Sequence, residues 1–472
     1  MAAFLIRALA YWAGFGLVGL ADWIGASFGD PSIDQVLYHL RYSDGASVRM
    51  SGVFAFTFGA QVLLFPLAFA AVAAFVHGRL AAGPLLRIPG LLRALPHVAV
   101  AAGVFALLLK FSVFSYAAAP FGPDRFGEAY VHPARVQLLQ QRPRNLVLIY
   151  VESLEDTYGD ARLFGRDLLA PLHALGGTRI AAYDAQPGTT WTMAAMVATQ
   201  CGVPLAVYSE SNMPETAPER VFLPGALCLG DILAAHGYRN VFLGGAPLSF
   251  AGKGRFLRDH GYQEVHGQEE WQAAGAAPEE SGAWGLHDDA LLARARTRLD
   301  QLHASGQPFN LTLLTLDTHN PIGFMSPDCR ARGARDFAGI VECTSTQVAA
   351  FVQFARDRGY LEDTAIVVIG DHPAMPNPLS DQLQHASRRG IFNLVVTEPP
   401  AVPNTEAVVP FDFFPTLVQL AGVRVAGERL GLGYAALGRS EVRRPREREP
   451  IPLAALRGSA VYRSLWEPLL ED

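Results

Sequence analysis

Four places in the sequence put reactive side chains where an apolar run meets a polar edge. "NLVLIYVES" carries Glu152 at its close, "FNLTLLTLDTH" runs into Asp317 and His319, and "TAIVVIGDH" ends in Asp371 and His372. The fourth is Thr192 in "PGTTWTMAAMVATQCGVP", at the mouth of a small, apolar, helix-like run. Carboxylates together with an imidazole make a mixed oxygen and nitrogen ligand set, suited to Mn2+, Zn2+ or a similar divalent ion. A threonine hydroxyl is a weak nucleophile near neutral pH, and coordination to a metal activates it. A helix N-terminus is also a natural seat for phosphate. The chemistry within reach of this set is attack of Thr192 on phosphorus. Each residue also has an ordinary use: threonine caps helices, and acids or histidines after strands serve as turn residues.

Such a set needs a scaffold that gathers strand ends around one helix mouth. Strand-like runs fall at 145–153, 239–245, 309–319, 364–372 and 391–398. Amphipathic helix patterns lie between several of them, among them "CLGDILAAHGY", "DDALLARARTRLDQLHASG" and "STQVAAFVQFARDRGY". "PTLVQLAGV" follows, with Pro415 at a first helical position. This alternation predicts an α/β fold, a mostly parallel sheet sandwiched by helices. In open sheets of that kind, ligands bind outside the carboxyl ends of the strands. No internal repeat is visible.

The chain has 472 residues, half of them hydrophobic, and a net charge of −6. That length suggests two units, and the absence of a basic tract argues against nucleic acid as a partner. The apolar excess sits at the front. Residues 50–76 carry no charge, residues 98–119 form a second apolar stretch interrupted by Lys110, and residues 3–25 a third. Each is about long enough to cross a membrane, although residues 3–25 could also be a cleaved signal peptide. Lys110 is costly within a span and would face a partner, a wet cavity or the interface. Arg79, Arg87 and Arg93 lie between the second and third spans with no acid, whereas Asp30, Asp34 and Asp44 accompany Arg41 and Arg49 between the first and second. The basic bias places the former loop in the cytoplasm, and three spans then put everything after about residue 120 outside. The predicted organisation is a membrane domain at 1–119, a Pro-, Arg- and Gln-rich linker at 120–144 and an external catalytic domain at 145–472. Arginine-rich 438–450 reads as an exposed loop, with a lipid-headgroup contact as the other reading.

With these residues in view, "LVLIYVESLEDTYGD", "PGTTWTMAAMVATQCGVPL", "LCLGDIL", "FAGKGRFLRDHGY", "WGLHDD", "TLDTHNP" and "VVIGDHPAM" resemble the sulfatase-like, alkaline-phosphatase superfamily. Within it they are most similar to the phosphoglycerol transferase I family, which modifies osmoregulated periplasmic glucans, and more distantly to lipoteichoic acid synthases. The resemblance covers roughly residues 145–435, with a matching membrane-first layout. It implies a bacterial inner-membrane enzyme with its catalytic domain in the periplasm. It implies one divalent metal, Mn2+ first, with Zn2+ or Mg2+ possible, held by Glu152, Thr192, Asp371 and His372, with Thr192 also the nucleophile. His319 matches a histidine that contacts the phosphoglycerol group, Trp284 lies in the segment that shapes the substrate pocket, and Lys253 could reach a phosphate or stand as a solvated surface lysine. The implied reaction moves phosphoglycerol from phosphatidylglycerol to Thr192, releasing diacylglycerol, and then to a sugar hydroxyl of a periplasmic glucan. The synthases carry a Gly-Lys-Thr-Ser type turn where this chain has Thr-Trp-Thr, which favours the glucan-modifying branch.

Rival readings are a phosphoethanolamine transferase acting on a lipid or glycan, a plain hydrolase, and a non-catalytic membrane protein that binds glycans. A sulfatase requires Cys or Ser in a C/S-x-P-x-R context, which "CGVPLAV" lacks. The four cysteines, all beyond residue 200, allow three pairings. An oxidising compartment favours pairing, and the local solution is Cys201–Cys228 with Cys329–Cys343, each bracketing a loop beside the proposed site. Four reduced core thiols are the alternative.

Overall fold

The structure is a computed structural model that describes residues 2–28, 33, 52–82, 89–118, 121–206, 221–439 and 448–467. Arg87, the acidic and basic residues between the first two spans, and residues 440–447 of the arginine-rich segment lie outside the described residues. The chain divides into two compact units, residues 1–37 with 45–119, and residues 38–44 with 120–472.

The first unit is helical. α1 (Ala2–Phe28) is followed by Gly52–Phe58, a π-helical stretch Gly59–Leu64, α2 (Phe65–Ala82) and α3 (Pro89–Lys110). Among the described residues, three segments are long and apolar enough to cross a membrane: Ala3–Ser27, Ala55–Ala81 and Leu92–Lys110. The second runs past the predicted 76 through His77, whose Nδ1 lies 2.9 Å from the Tyr11 hydroxyl. The third differs from the predicted 98–119. Its helix starts at Pro89, takes Pro96 inside, and stops at Lys110, with Ser112 in a left-handed conformation before a separate short helix at Val113–Ala118. Lys110 therefore closes a helix rather than interrupting a span, with its Nζ beside Gly25 of α1.

The second unit is built on a sheet with six strands among the described residues. They are β1 (Asn145–Val151), β2 (Arg239–Gly244), β3 (Glu264–His266), β4 (Phe309–Leu314), β5 (Thr364–Gly370) and β6 (Asn393–Val396). The spatial order is β6-β5-β1-β4-β2-β3, and every pairing is parallel except β6 on β5. β3, three residues at the edge, gave no readable pattern in the sequence. The sheet is covered on both faces, which is why β1 and β5 are near-continuous apolar runs; β4 breaks its run with Asn310 and Thr312, buried and hydrogen-bonded to Asn240 and Tyr262. Leu146, Leu148 and Tyr150 of β1 enter one core, with α4 (Thr192–Cys201) and a later helix at Pro410–Leu420. Val147, Ile149 and Val151 enter the other, with α5 (Asp288–Ala304) and α6 (Phe337–Asp357). Each such side chain contributes about 1.5–3 kcal/mol by leaving water.

Residues 121–144 are not a free linker. Phe126 is buried and packs edge-on against Tyr462, Pro133 is buried, and Leu138–Gln140 pairs antiparallel with Val423–Val425. The segment also holds a short helix at Arg125–Ala129. Disulfides join Cys201 to Cys228 and Cys329 to Cys343.

Candidate active site

Parallel pairing aligns the carboxyl ends of β1, β4 and β5, and the residues that follow them converge. Glu152 comes directly after β1, and Asp371 and His372 directly after β5. β5 ends in glycine because the loop after β1 passes close beside it: a Cβ on Gly370 would sit 2.0 Å from the Leu154 carbonyl oxygen. Ligand atoms of Glu152, Asp371 and His372 lie within 4.8 Å of one another, all buried. His372 Nε2 is 3.4 Å from Asp371 Oδ2 and 3.6 Å from Glu152 Oε1.

Thr192 completes the group from the other side. The helix is capped in position by Trp191, which makes no side-chain cap, and Thr192 is the first helical residue. Its hydroxyl does not serve the helix. It donates to Glu152 Oε2 at 3.3 Å and lies 3.4 Å from His372 Nε2.

The shell around these groups fixes their lone pairs. His372 Nδ1–H donates to the Pro373 carbonyl at 2.9 Å, which turns Nε2 toward the carboxylates. Asp371 Oδ1 accepts from the backbone N–H groups of Ser153 (2.7 Å) and His372 (2.9 Å). Ser153 also donates its hydroxyl to Glu152 Oε1 at 2.7 Å. Ser153 has φ 54°, a conformation that costs a non-glycine residue about 1–2 kcal/mol, and strain of this kind gathers at functional sites. Nothing in "YVES" marked Ser153 as a site residue; its role follows from the backbone it adopts.

Electrostatics in this crowded space are in conflict. Burial pushes Asp371 up to about 7, and the nearby Glu152 adds to it. Burial also opposes ionisation of Glu152, but His319, His372 and the Ser153 and Thr192 hydroxyls outweigh it and hold its carboxyl below the usual range. Burial disfavours charge on His372, yet Asp371 and Glu152 prevail and raise its pKa. Asp371 Oδ2 is buried with no hydrogen-bond partner among the described residues. A buried, unpartnered carboxylate oxygen beside a second carboxylate and an inward-facing imidazole nitrogen is what a divalent cation would satisfy.

Beside this cluster is a pocket whose lining includes Glu152, Thr192, Phe250, Lys253, Trp284 and His319. Trp284 stacks on His319 with ring centroids 5.5 Å apart, and Phe250 meets Trp284 edge-on at 5.4 Å. Lys253 is not a solvated surface residue. It is 3% exposed and has no ion-pair partner among the described residues. Burial pushes its ammonium down to about 8, against the pull of Glu152, Glu269 and Asp371. Asp317, also at a strand end, does not join either group: its carboxylate is buried against His287.

A profile of the sulfatase family matches residues 144–423. The chain belongs to the sulfatase family. Among curated relatives of this family member, phosphoglycerol transferase I of Xanthomonas euvesicatoria pv. vesicatoria is 37% identical over 437 residues, which is 89% of this chain and 59% of that protein. Phosphoglycerol transferase I of Escherichia coli is 39% identical over 288 residues, 59% of this chain and 37% of that protein. The chain thus spans well under two thirds of the length of these relatives. Among solved structures, the lipoteichoic acid synthase LtaP from Listeria monocytogenes aligns over 66% of this chain and 76% of that one, at 17% identity and a TM-score of 0.49.

Proposed function

We propose that the chain is a membrane-anchored, metal-dependent phosphoglycerol transferase. It takes phosphoglycerol from phosphatidylglycerol, holds it on Thr192, releases diacylglycerol, and passes it to a hydroxyl of a periplasmic glucan. The observation that carries this reading is the Thr192 hydroxyl. It stands at a helix N-terminus and within 3.4 Å of both Glu152 and His372, beside an unpartnered carboxylate oxygen of Asp371. The names of the curated relatives support the same activity.

Glu152, Thr192, Asp371 and His372 would hold the ion, with Mn2+ first and Zn2+ or Mg2+ as alternatives. Bound there, a divalent cation would acidify the threonine hydroxyl and offset phosphate charge. The remaining work falls to side chains and backbone. The first-turn N–H groups of α4 face the phosphate oxygens. Glu152 Oε2, which accepts from the Thr192 hydroxyl, takes up its proton as the oxygen attacks. The stacked Trp284 and His319 would wall the glycerol, and Lys253 would meet the phosphodiester charge.

Lys253 also separates this reading from phosphoethanolamine transfer. Both donors carry the phosphodiester that a buried cation attracts, but only phosphatidylethanolamine adds an ammonium that it repels. The test is to offer the full chain radiolabelled phosphatidylglycerol or phosphatidylethanolamine and follow diacylglycerol. Release from phosphatidylglycerol alone is the expected result; release from phosphatidylethanolamine alone would overturn the donor assignment.

The inner-membrane, periplasm-facing arrangement is part of the same proposal. It rests on the three apolar helices and the arginine bias between them. Single-cysteine labelling in intact cells should reach a site introduced near Arg142 and miss one near Arg87, and the reverse pattern would overturn the topology.

A further inference from the structure

Trp284 and His319 come from segments more than thirty positions apart, yet their rings stack. A group of buried side chains that takes no part in the proposed reaction ties those segments together. Asp288 reaches across to the segment that bears His319: its Oδ1 accepts from the Leu316 N–H at 2.6 Å, and both of its oxygens lie 3.2 Å from the Asp317 N–H. Asp317 reaches back. Its Oδ1 accepts from His287 Nδ1 at 2.6 Å and its Oδ2 from the Asp288 N–H at 3.2 Å. Thr344 of α6 donates to Asp288 Oδ2 at 3.0 Å, next to the disulfide-bonded Cys343. The loop that carries His319 is built on the same two residues, with the His319 N–H donating to Leu316 O and the Phe324 N–H to Asp317 O.

We infer that His287, Asp288, Asp317 and Thr344 are positioning residues that clamp the Trp284 and His319 segments in one register and so set the shape of the headgroup pocket. Asp288 and Asp317 are fully buried and His287 nearly so. Apolar side chains of similar volume would stabilise such a place equally well or better. What reciprocal hydrogen bonds add is a fixed offset between two backbones, because sliding either segment leaves buried carboxylates unpaired. Side chains that contact substrate need this kind of support to hold their geometry. The inference rests on the proposed donor for its substrate, but the clamp itself is a property of the fold.

The experiment compares the full-length chain with His287→Leu, His287→Asn and Thr344→Val on two substrates. One is phosphatidylglycerol; the other is bis(4-nitrophenyl) phosphate, which has no glycerol. For His287→Leu, the KM for phosphatidylglycerol should rise about tenfold, while kcat/KM for the nitrophenyl diester stays within about twofold. His287→Asn keeps an N–H donor near the position of Nδ1 and should recover most of the loss. Equal loss on both substrates, an unchanged KM, or no recovery in the asparagine variant would overturn the clamp. Should the leucine variant fail to fold, Thr344→Val removes one hydrogen bond with little change of shape, and its KM should rise about two- to threefold; no rise would overturn the inference. A wild-type chain that releases no diacylglycerol would sink the donor assignment and not the clamp. The clamp is then read from a crystal structure of His287→Leu, where loss of the Trp284–His319 stack supports it and a retained stack overturns it.

Discussion

The two halves of the candidate site are made differently. The Glu152, Asp371 and His372 cluster sits on the ends of two paired strands, β1 and β5, and its members are held by backbone N–H groups and a backbone carbonyl. The pocket beside it is made of connections between the strands: Phe250 and Lys253, the first residue of a short helix at Lys253–Asp259, flank a left-handed Ala251, while Trp284 and His319 depend on each other and on buried acids beneath them. The strand-borne half has its geometry fixed by the sheet, which suits bond making and breaking. The loop-borne half can change between relatives without disturbing the sheet, which suits recognition. If this division is right, damage to the first half should remove turnover and damage to the second should weaken donor binding.

The largest effect is expected at the cluster. Asp371→Ala should lower kcat by at least about a thousandfold and strip the bound metal. Elemental analysis of the purified chain alongside turnover checks both, and full metal content with full turnover would contradict the assignment.

Next is Lys253. Lys253→Met should raise the KM for an anionic donor about ten- to a hundredfold with a smaller change in kcat. Removing an unpaired buried charge should at the same time leave the melting temperature unchanged or higher. The pH dependence has a definite sign. The folded pKa of Lys253, about 8, lies below that of an unfolded lysine, so its burial penalty is present below pH 8 and fades as the pH rises toward about 10.4. Donor KM should therefore rise above about pH 8 in the wild type, and this rise should be absent in Lys253→Met. An unchanged profile in the variant would place the lysine outside the pocket's work.

The smallest effect separates strain from chemistry at Ser153. Ser153→Ala and Ser153→Gly both remove the hydroxyl that donates to Glu152, and both should lose about three- to tenfold in kcat. The glycine variant relieves the φ of 54° and should unfold at a higher temperature than the alanine variant, by about 1 kcal/mol in stability. Equal stabilities would mean the conformation carries no strain.

These contrasts track what the sequence made legible. The cluster was readable because Glu152, Asp371 and His372 directly follow apolar runs, and strand ends are where open sheets place their chemistry. Thr192 was readable as a hydroxyl at a helix mouth, but only the structure shows it as the first helical residue, turned away from the cap and toward the acids. Lys253 could not be told from a surface lysine, since its burial depends on packing by segments distant in sequence. Asp317 looked like an equal member of the site and instead serves His287, a contact between residues thirty positions apart. The packing of residues 121–144 was hidden for the same reason: Phe126 finds Tyr462 only in three dimensions.

In the proposed reaction Thr192 carries the transferred group. The direct test is to incubate the full chain and its metal with phosphatidylglycerol, without any acceptor, and to map the peptide containing Thr192 by mass spectrometry. A phosphoglycerol increment on Thr192 together with released diacylglycerol is expected, with loss of both in Thr192→Ala. A Thr192→Ala chain that still releases diacylglycerol would contradict it and return the threonine to its ordinary place at the start of a helix.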